Sequence, residues 1–323
     1  MTLKSLQPST IASCAGVAAL LAWPLVFEAG TIYHRVIGMA LLYGALAFAW
    51  NICALAGAIS LGHTAFFGLG AYGSALLDHY FHLSPCLTIL VGGGLGAAYG
   101  VLWGFFFGKL RGASFALATL ASVEIPKVVI DNWDSLTFGS LGVVGIQSLP
   151  AIHLAGGAID LGSDLKAQYY LLLLFMLAVG GIHVTAFKSR WGWAIRSVRE
   201  DEIAASALGV NTGRTRFQAV VLSAFLTGLC GGLYAHLIGL IEPTLVFNLH
   251  ISGLPLVFSI FGGRFQRVGP LLGALILYPA DQLFFRSMLP AGHAALYGLV
   301  IIATILFFPK GIGAWLQRKK TSA

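Results

Sequence analysis

Long stretches of the chain contain no charged residue at all. Asp, Glu, Lys and Arg are absent from the windows 5–27, 36–77, 79–108, 167–187, 217–241, 243–263 and 287–309. Each window is long enough for a helix that crosses the hydrocarbon core of a bilayer, because such a helix takes roughly 20 apolar residues. The window 36–77 accommodates two crossings, with a tight turn near Gly57–Gly62. The pattern therefore predicts an all-α, polytopic membrane helix bundle.

Two further segments carry few charges and complete the set of predicted spans. The segment 112–130 holds Glu124 and Lys127, and the segment 268–285 holds Asp281. The predicted spans run over 9–28, 36–56, 60–77, 85–108, 113–130, 169–187, 217–241, 246–263, 268–286 and 293–309. We therefore predict about ten spans in a single transmembrane domain that covers residues 1–323.

The basic residues predict the orientation of this bundle. Membrane proteins keep most Lys and Arg near the cytoplasmic ends of their spans. If the N-terminus is inside and the spans alternate, only Arg35, Lys127, Lys166 and Arg286 of the 19 Lys and Arg residues lie outside or at the outer edge. The opposite orientation would leave only these residues inside. We therefore predict cytoplasmic N- and C-termini.

Composition excludes several classes of protein. Hydrophobic residues make up 58% of the chain and charged residues only 10%, against about 25% charged residues in soluble domains. A soluble enzyme, a disordered chain and a nucleic-acid-binding protein are therefore excluded. The formal net charge of +7 then reports topology, and we expect no nucleic-acid partner. The first apolar run lacks a clear A-x-A cleavage site, so we expect it to be retained as a helix.

Two hydrophilic stretches separate groups of spans. The stretch 131–168 is predicted as an external loop that divides the spans five and five, and 188–216 as the longest cytoplasmic segment. Within the latter, 193–208 lacks Pro and Gly and is rich in Ala, Arg and Glu. This composition predicts one continuous helix, with Gly209 and Asn211 as stop signals.

The predicted cytoplasmic helix is spaced for ion pairs on its surface. Arg196 and Glu200 are four residues apart, and Arg199 and Glu202 three residues apart, so each pair lies on one helical face. Such a helix suits docking into a groove of a soluble partner. It equally suits lying on anionic lipid, and the residues alone leave both open.

Regularly spaced glycines predict close helix packing. Gly92, Gly96, Gly100, Gly104 and Gly108 follow a four-residue period within one predicted span. Small residues along one face of a helix let neighbouring backbones approach in lipid. We therefore expect this face to pack against another helix.

The segment 51–77 combines glycines with polar side chains at membrane depth. A broken helix here would turn backbone dipoles toward a cavity, with Ser60 and His63 at the break. A tight turn, with Ser60 as N-cap and His63 at the third helical position, accounts for the same residues. Both interpretations stay open at this point.

Glu124 is the expensive group within the predicted spans. A carboxylate costs roughly 2.5 kcal/mol or more near the bilayer centre, and less near the edge. Glu124 either faces the bundle interior or a cavity, or it lies near the interface and pairs with Lys127 on the same helical face. Pro126 kinks or ends a helix, which favours the edge position.

The chain carries no recognisable catalytic or metal-binding motif. It lacks the G-x-x-x-x-G-K-[ST] phosphate loop, H-E-x-x-H and G-x-S-x-G. Its four cysteines are Cys14, Cys53, Cys86 and Cys230, which form no C-x-x-C and are expected to pack as small residues. We therefore predict no catalytic residues, no metal and no cofactor on this chain, and a role in transport.

Several segments resemble one family in the order in which that family carries them. Residues 191–243, from WGWAIRSVREDE to LIGLIEP, resemble the coupling region and following helix of branched-chain amino-acid ABC transporter permeases of the LivM type. Residues 51–77 resemble the first signature of that family. SFALATLASVEI (114–125) and FPKGIGAWL (308–316) match further pieces of it.

The resemblance implies a membrane-spanning permease subunit of an ABC importer for branched-chain or related amino acids. It implies no enzyme activity on this chain, a place in the bacterial cytoplasmic (inner) membrane, and several partners. These are a second permease subunit, two ABC ATPase subunits that bind ATP, and a substrate-binding protein. The missing phosphate loop agrees with a nucleotide site on another chain.

The resemblance also assigns roles to residues at matching positions. It places near the substrate path Asn51, Ser60, His63, Phe66, Tyr72, Thr119 and Glu124. It assigns ATPase coupling to Arg196, Arg199, Glu200, Asp201, Glu202, Ala205, Leu208 and Gly209, in a coupling helix over 196–208. ATP-driven closure of the ATPase dimer would push on this helix and rock the bundle between outward and inward states.

The chain departs from the family pattern in three places. Ala58 stands where a Gln is common in the first signature. LTFGSLGV (136–143) replaces a glycine-rich external pattern, which leaves the substrate open. GGRFQRVGP (262–270) adds Arg264 and Arg267 to an inner loop, which bears on ATPase contact.

Two other functions compete with amino-acid import. An ABC permease for urea, a sugar or another small polar solute shares the same architecture. A stand-alone secondary transporter or channel would require several ionisable groups within the membrane. Only Glu124 and a few histidines are available here, which counts against it.

Overall fold

The computed structural model describes residues 16–24, 32–154, 157–290, 292–308 and 311–312. These residues are mostly helical. The helices are α1 (16–24), α2 (Ile32–Leu55), α3 (His63–Phe81), α4 (Pro85–Phe107), α5 (Gly112–Ala121), α6 (Glu124–Asp131), α7 (Asp134–Thr137), α8 (Leu165–Lys188), α9 (Arg190–Glu200), α10 (Glu202–Ala207), α11 (Thr212–Ile238), α12 (Pro243–Val246), α13 (Leu249–Gly262), α14 (Gly269–Ala280), α15 (Arg286–Met288) and α16 (His293–Phe307). A 3-10 turn covers Gly139–Leu141, and a π-helix over Asp281–Phe285 joins α14 to α15.

The all-α membrane bundle predicted from the sequence is confirmed. Six helical segments of the described chain are long and apolar enough to cross a membrane: Ile32–Leu55, Pro85–Phe107, Gly112–Asp131, Leu165–Lys188, Thr212–Ile238 and Pro243–Gly262. Other predicted spans fall on helices that are shorter or less apolar, namely α3, α16 and α14 with its π-helix. The first predicted span, 9–28, lies partly outside the described residues.

Four short strands, which the sequence pattern did not predict, occur in the described chain. Three of them lie between α6 and α8. Strand β1 (Val143–Val144) pairs antiparallel with β4 (Leu240–Ile241), just after α11. Strands β2 (Ile152–Leu154) and β3 (Gly157–Ile159) form a small hairpin. The β1–β4 pair ties the 131–168 stretch to the end of α11.

Helix α2 is the central helix of the bundle. It packs against α8, α11, α13 and α14, and 89% of its most apolar window is buried. A span that is hydrophobic on every side can face either lipid or other helices, and its contacts place α2 among other helices. Both ends of α2 therefore lie near the axis of the bundle, away from its rim.

The glycines of α4 lie in a tight contact between α3, α4 and α11, as their spacing predicted. A Cβ atom at Gly96 would lie 2.6 Å from the carbonyl oxygen of Ala224 and 3.1 Å from the Cα atom of Gly228. Gly92 approaches the backbone of Gly70 in α3 in the same way. These helices pack backbone against backbone, which only small residues allow.

Pro126 lies in the first turn of α6 and accounts for the break between α5 and α6. A proline nitrogen cannot donate to the carbonyl four residues earlier, which here belongs to Ser122. The freed Ser122 oxygen instead accepts a hydrogen bond from the Tyr99 hydroxyl at 2.7 Å. Helix α5 accordingly ends at Ala121, and α6 begins at Glu124.

The prediction of one continuous helix over 193–208 is wrong. Asp201 has an extended backbone and separates α9 from α10. Its Oδ1 atom accepts hydrogen bonds from the amides of Ile203 at 2.9 Å and Ala204 at 3.0 Å. Aspartate competes with the helical backbone in this way and is a strong N-cap, so it begins a new helix here.

Of the two predicted stop signals after α10, only Gly209 has the predicted role. Gly209 has a left-handed backbone, with φ of 84°, and follows the last turn of α10 as predicted. Asn211 does not stop α10. It caps α11 instead, because its Oδ1 atom accepts a hydrogen bond from the Arg214 amide at 2.9 Å.

Candidate functional site

The turn between α2 and α3 holds a buried polar knot, which we define as Ser60, His63 and Ser223. The His63 ring lies 2.9 Å from Ser60 Oγ through Nδ1 and 2.8 Å from Ser223 Oγ through Nε2. Ser223 donates its own hydroxyl hydrogen to the Ala49 carbonyl at 2.7 Å. Ser223 must then accept from His63 Nε2–H, and His63 Nδ1 must accept from Ser60. The His63 tautomer that is protonated at Nε2 therefore satisfies every hydrogen bond of the knot.

The structure supports a tight turn here and corrects its capping. The N-cap of α3 is Gly62, and His63 is the first helical residue rather than the third. Ser60 instead accepts from the Gly62 amide at 3.1 Å within the turn. The Ser60 carbonyl accepts from the Trp50 indole at 2.9 Å. Ser60 and His63 are 0% and 1% exposed, so their polar groups face protein.

Thr119 fixes the turn from the side of α5. The Leu61 amide donates to Thr119 Oγ1 at 3.3 Å. Gly62 lies so close to the Thr119 carbonyl that a Cβ atom would collide with it, and would also lie 2.8 Å from the Trp103 ring. The turn and α5 are therefore packed as one unit. Beside them the rings of Phe66 and Trp103 lie 4.3 Å apart and are tilted by 52°.

Asn51 and Tyr72 lie away from this turn. Asn51 donates through Nδ2 to the Arg264 carbonyl at 2.9 Å, and its Oδ1 atom lies 3.2 Å from His183 Nε2. It thereby joins the end of α2 to α8 and to the loop after α13. Tyr72 stacks on Phe247 at 6.2 Å and is buried. The structure does not bring these two residues together with Ser60 and His63.

Glu124 differs from the other residues assigned to the substrate path. Its side chain is 63% exposed on the outside of this subunit and lies 3.6 Å from the Lys127 ammonium group. The predicted pairing with Lys127 is confirmed. The other six assigned residues are buried within the chain.

The predicted ion pairs of the coupling helix do not form among the described residues. The break at Asp201 separates Arg199 from Glu202, whereas Arg196 and Glu200 share helix α9 and contact other groups. Arg199 pairs with its neighbour Glu200, through Nε at 3.1 Å from Oε1. Arg196 lies over the rings of Phe187 at 4.3 Å and Trp193 at 4.4 Å.

Glu202 is held by a residue that the sequence analysis did not single out. Arg111 donates to its carboxylate through Nε and Nη2, both at 2.6 Å, in a bidentate pair. Arg111 also donates to the Gly108 carbonyl at the end of α4, at 2.7 Å. The hydrogen bond from Arg111 is the main cause that lowers the pKa of Glu202. No local pattern predicts a pair that is 91 residues apart in the chain.

The outer surface of α9 and α10 presents apolar side chains to solvent. Trp193, Ile203 and Leu208 are 69%, 83% and 84% exposed. Ala205 points inward and is buried. These three large side chains make the surface of α9 and α10 a candidate contact surface for a partner.

A second polar network, also missed from the sequence, clamps the external stretch. The backbone amide of Gln147 donates to Asp78 Oδ2 at 2.7 Å, and the backbone carbonyl of Gln147 accepts from His236 Nδ1 at 2.7 Å. His236 Nε2 lies 2.9 Å from the hydroxyls of Ser74 and Thr88. The network joins α3, α4 and α11 to the segment that leads from β1.

Two clefts lie between helices of the described chain, and both are small. They hold about 10 Å³ and about 30 Å³, which is room for one or two water molecules. Neither cleft accommodates a free amino acid. Among the described residues, no group of three or more His, Cys, Asp or Glu is placed to hold a metal ion.

Comparison with known proteins gives one consistent result. The family model described as "Branched-chain amino acid transport system / permease component" matches residues 32–308. The permease protein LivM of Escherichia coli K12 is 27% identical over 332 residues, which cover 96% of this chain and 77% of LivM. LivH of Salmonella typhimurium is 24% identical, over 88% of this chain and 91% of LivH.

A sugar permease is also related. The fructose import permease FrcC of Rhizobium meliloti is 24% identical over 242 residues, which cover 72% of this chain and 64% of FrcC. No solved structure matches the chain. The described chain has six apolar helices long enough to span a membrane, and the family model matches most of the chain. The protein is therefore a multi-pass membrane permease subunit of an ABC importer and belongs to the family of branched-chain amino acid transport system permease components.

Proposed function

We propose that this permease subunit imports a branched-chain amino acid or a related amino acid across the bacterial cytoplasmic (inner) membrane. The observation that carries the proposal is the family match over 32–308, together with relatives named for branched-chain amino acid transport. The working assembly contains a second permease subunit, two ABC ATPase subunits that bind and hydrolyse ATP, and a substrate-binding protein. This chain itself carries no cofactor and touches membrane lipid.

The proposed topology has ten spans with both termini in the cytoplasm. The 131–168 stretch then lies outside, and the 188–216 segment with α9 and α10 lies inside, where the ATPase is. The distribution of Lys and Arg supports this orientation. The clamp between Asp78, Gln147 and His236 supports a fixed outer stretch.

The substrate path is proposed to run along the face that carries Glu124, between two permease subunits. An exposed carboxylate on the outside of a membrane bundle is costly against lipid, and a water-filled path between subunits removes that cost. Six assigned residues are buried and would stabilise the helices that line the path without contacting the substrate. They are Asn51, Ser60, His63, Phe66, Tyr72 and Thr119.

Coupling is proposed to pass through the pair between Arg111 and Glu202. When the ATPase subunits close on ATP they displace α9 and α10, and the bidentate pair carries this movement to the start of α5. Helix α5 contacts the α2–α3 turn through Thr119 and leads to Glu124. A push on α10 therefore reaches the proposed path.

Uptake by the reconstituted transporter tests the proposed function. Proteoliposomes with both permease subunits, the ATPases and the binding protein are expected to accumulate labelled leucine only when ATP is supplied to the ATPase side. Uptake that persists without ATP or without the ATPase subunits would favour a stand-alone secondary transporter and overturn the proposal.

A sugar is the second candidate substrate class, because one relative is a fructose permease. The same vesicles, with the same binding protein, are therefore tested with labelled fructose and urea. ATP-driven uptake of fructose or urea without leucine would move the substrate to that class and leave the ABC mechanism in place.

A further inference from the structure

The loop between α13 and α14, residues 263–268, packs against α9. Phe265 of this loop lies under the Arg199 guanidinium at 4.2 Å and under the Arg264 guanidinium at 4.6 Å. Arg267 approaches the Phe187 ring at 5.9 Å, on which Arg196 also stacks. Four guanidinium groups from two separate segments are therefore gathered on aromatic rings in one layer. We call Arg196, Arg199, Arg264 and Arg267 the guanidinium layer.

The guanidinium layer carries an excess of positive charge. Glu200, which pairs with Arg199, is the carboxylate that the described residues place in contact with it. Burial, followed by the neighbouring Arg199 and Arg267, lowers the pKa of Arg196. Burial and then Arg199 lower the pKa of Arg264. The cations thus repel one another, and Arg199 Nη1 is buried without a hydrogen-bond partner in the described part of the chain.

The layer lies beneath the centre of the bundle rather than at its rim. The Arg264 carbonyl accepts from Asn51, close to the end of α2, the central helix. The Arg199 Cα atom lies 3.6 Å from where a Cβ atom of Gly57 would be, directly after α2. Lipid headgroups surround the rim of a membrane protein. In the proposed orientation, this position favours a soluble protein over lipid headgroups as the partner that covers the layer.

The chemistry of the layer suits a carboxylate-bearing face. Guanidinium groups bind carboxylates in a planar, bidentate manner, and stacking on rings leaves their N–H edges free to do so. Trp193 and Phe265 beside them are 69% and 47% exposed. Trp, Phe and Arg are the residues that protein interfaces favour.

We propose that α9 and the loop 263–268 form one docking surface that receives an acidic face of the ATPase subunit. The ATPase then contacts two segments that are far apart in the permease sequence. The inference rests on the proposed function, which supplies the ATPase partner. It adds the loop 263–268, and with it Arg264 and Arg267, to the coupling machinery.

The affinity of the ATPase subunits for the permease in nanodiscs tests the proposal. The double substitution Arg264→Ala with Arg267→Ala is expected to weaken binding by about tenfold or more, since loss of an interfacial charge partner has an effect of that order. The matched control is Lys109→Ala with Arg214→Ala, which removes the same charge from exposed positions outside α9 and the loop 263–268. The control is expected to change binding less than about threefold.

The outcomes separate this inference from the proposed function. If the wild-type permease binds no ATPase, the proposed function fails. If the wild type binds and the Arg264/Arg267 variant binds as well as the control variant does, the docking surface is overturned while the proposed function stands. If the variant loses binding only in nanodiscs that contain phosphatidylglycerol, and not in phosphatidylcholine alone, the layer binds lipid and the proposal is also overturned.

A milder variant guards against a folding defect. Arg267 is exposed and touches its ring only at 5.9 Å, so Arg267→Glu is expected to leave the thermal unfolding midpoint unchanged. It is still expected to weaken ATPase binding by about tenfold. A cysteine at Gln266, in the middle of the loop, is expected to crosslink to the ATPase subunit, and failure to crosslink alongside unchanged Arg267→Glu binding would contradict the proposal.

Discussion

At the scale of single residues, the buried hydroxyl groups of α11 differ in what they do. Ser223 and Thr227 are one helical turn apart and are both 0% exposed. Ser223 belongs to the knot with His63 and Ser60. Thr227 Oγ1 has no hydrogen-bond partner within the described chain. Burial alone therefore does not identify the hydroxyl that holds the α2–α3 turn.

Removal of the Ser223 hydroxyl is expected to destabilise the protein. In Ser223→Ala, the His63 ring loses its Nε2 partner inside the bundle, and an unsatisfied buried donor costs about 1–3 kcal/mol. The thermal unfolding midpoint of the purified protein in detergent measures this loss. Thr227→Val is the matched control, because it replaces a hydroxyl without a partner by a methyl group, and we expect it to keep the wild-type midpoint. Equal midpoints for the two variants would show that the knot contributes no stability.

The sequence predicted part of this knot. Ser60 and His63 stand three residues apart beside a glycine, so the local pattern located the turn. Ser223 is 160 residues from His63, and an apolar span offers no local sign of its partner. The turn was predictable because it is local, while the contact that closes it depends on how α11 packs against α2 and α3.

At the scale of elements, Asp201 turns the coupling segment into two short helices with different attachments. Helix α9 is fixed to the aromatic rings around Arg196, whereas α10 is fixed to the α4–α5 junction through Glu202 and Arg111. Composition predicted helix over the whole segment, because helix propensity favours most of its residues. A single N-cap aspartate overrode that preference, and the partner on another element was beyond the reach of any local pattern.

The Arg111–Glu202 pair is expected to affect coupling more than folding. Glu202→Gln keeps the shape of the side chain but loses the charge-assisted bidentate pair. Since both side chains are about one-third or more exposed, we expect the unfolding midpoint to shift little. Leucine uptake per ATP hydrolysed is expected to fall severalfold in reconstituted vesicles. The double reversal Arg111→Glu with Glu202→Arg restores the opposite charges and is expected to recover part of the coupling. Unchanged uptake per ATP in Glu202→Gln would contradict the transmission role.

The pair also has a defined pH dependence. Its hydrogen bonds lower the pKa of Glu202 in the folded protein, so its stabilising contribution is fully present above the unfolded pKa of about 4.3. That contribution is lost as the pH falls below this value and through the lowered folded pKa. We expect wild type to lose slightly more stability than Glu202→Gln between pH 5 and the acid range, by less than about 1 kcal/mol, in unfolding curves recorded as a function of pH. Parallel curves for the two proteins would show that the pair does not stabilise the fold.

At the scale of the whole molecule, hydropathy predicted the class of fold, and its finer limits have physical causes. The charge-free windows located the helices because the bilayer requires long apolar segments. They did not locate the strands β1 and β4, which are only two residues each. They also did not identify α2 as the central helix, because the window of α8 is more apolar, with a mean hydropathy of 2.1 against 1.8. Centrality comes from which helices surround a segment, and sequence windows carry no such information.

Orientation is the remaining property of the whole molecule that charge predicts, and cysteine labelling measures it. In a cysteine-free background, Ser135→Cys marks the external stretch and Ser206→Cys marks α10, and both positions are exposed. Because nearly all Lys and Arg lie near the proposed inner ends of the spans, a membrane-impermeant maleimide is expected to label Ser135→Cys in intact spheroplasts and Ser206→Cys only after lysis. The reverse pattern would invert the bundle and remove α9, α10 and the guanidinium layer from the side of the ATPase. Labelling of both positions from the same side would mean that α8, which lies between them, does not cross the membrane, although its length of 24 residues allows it to.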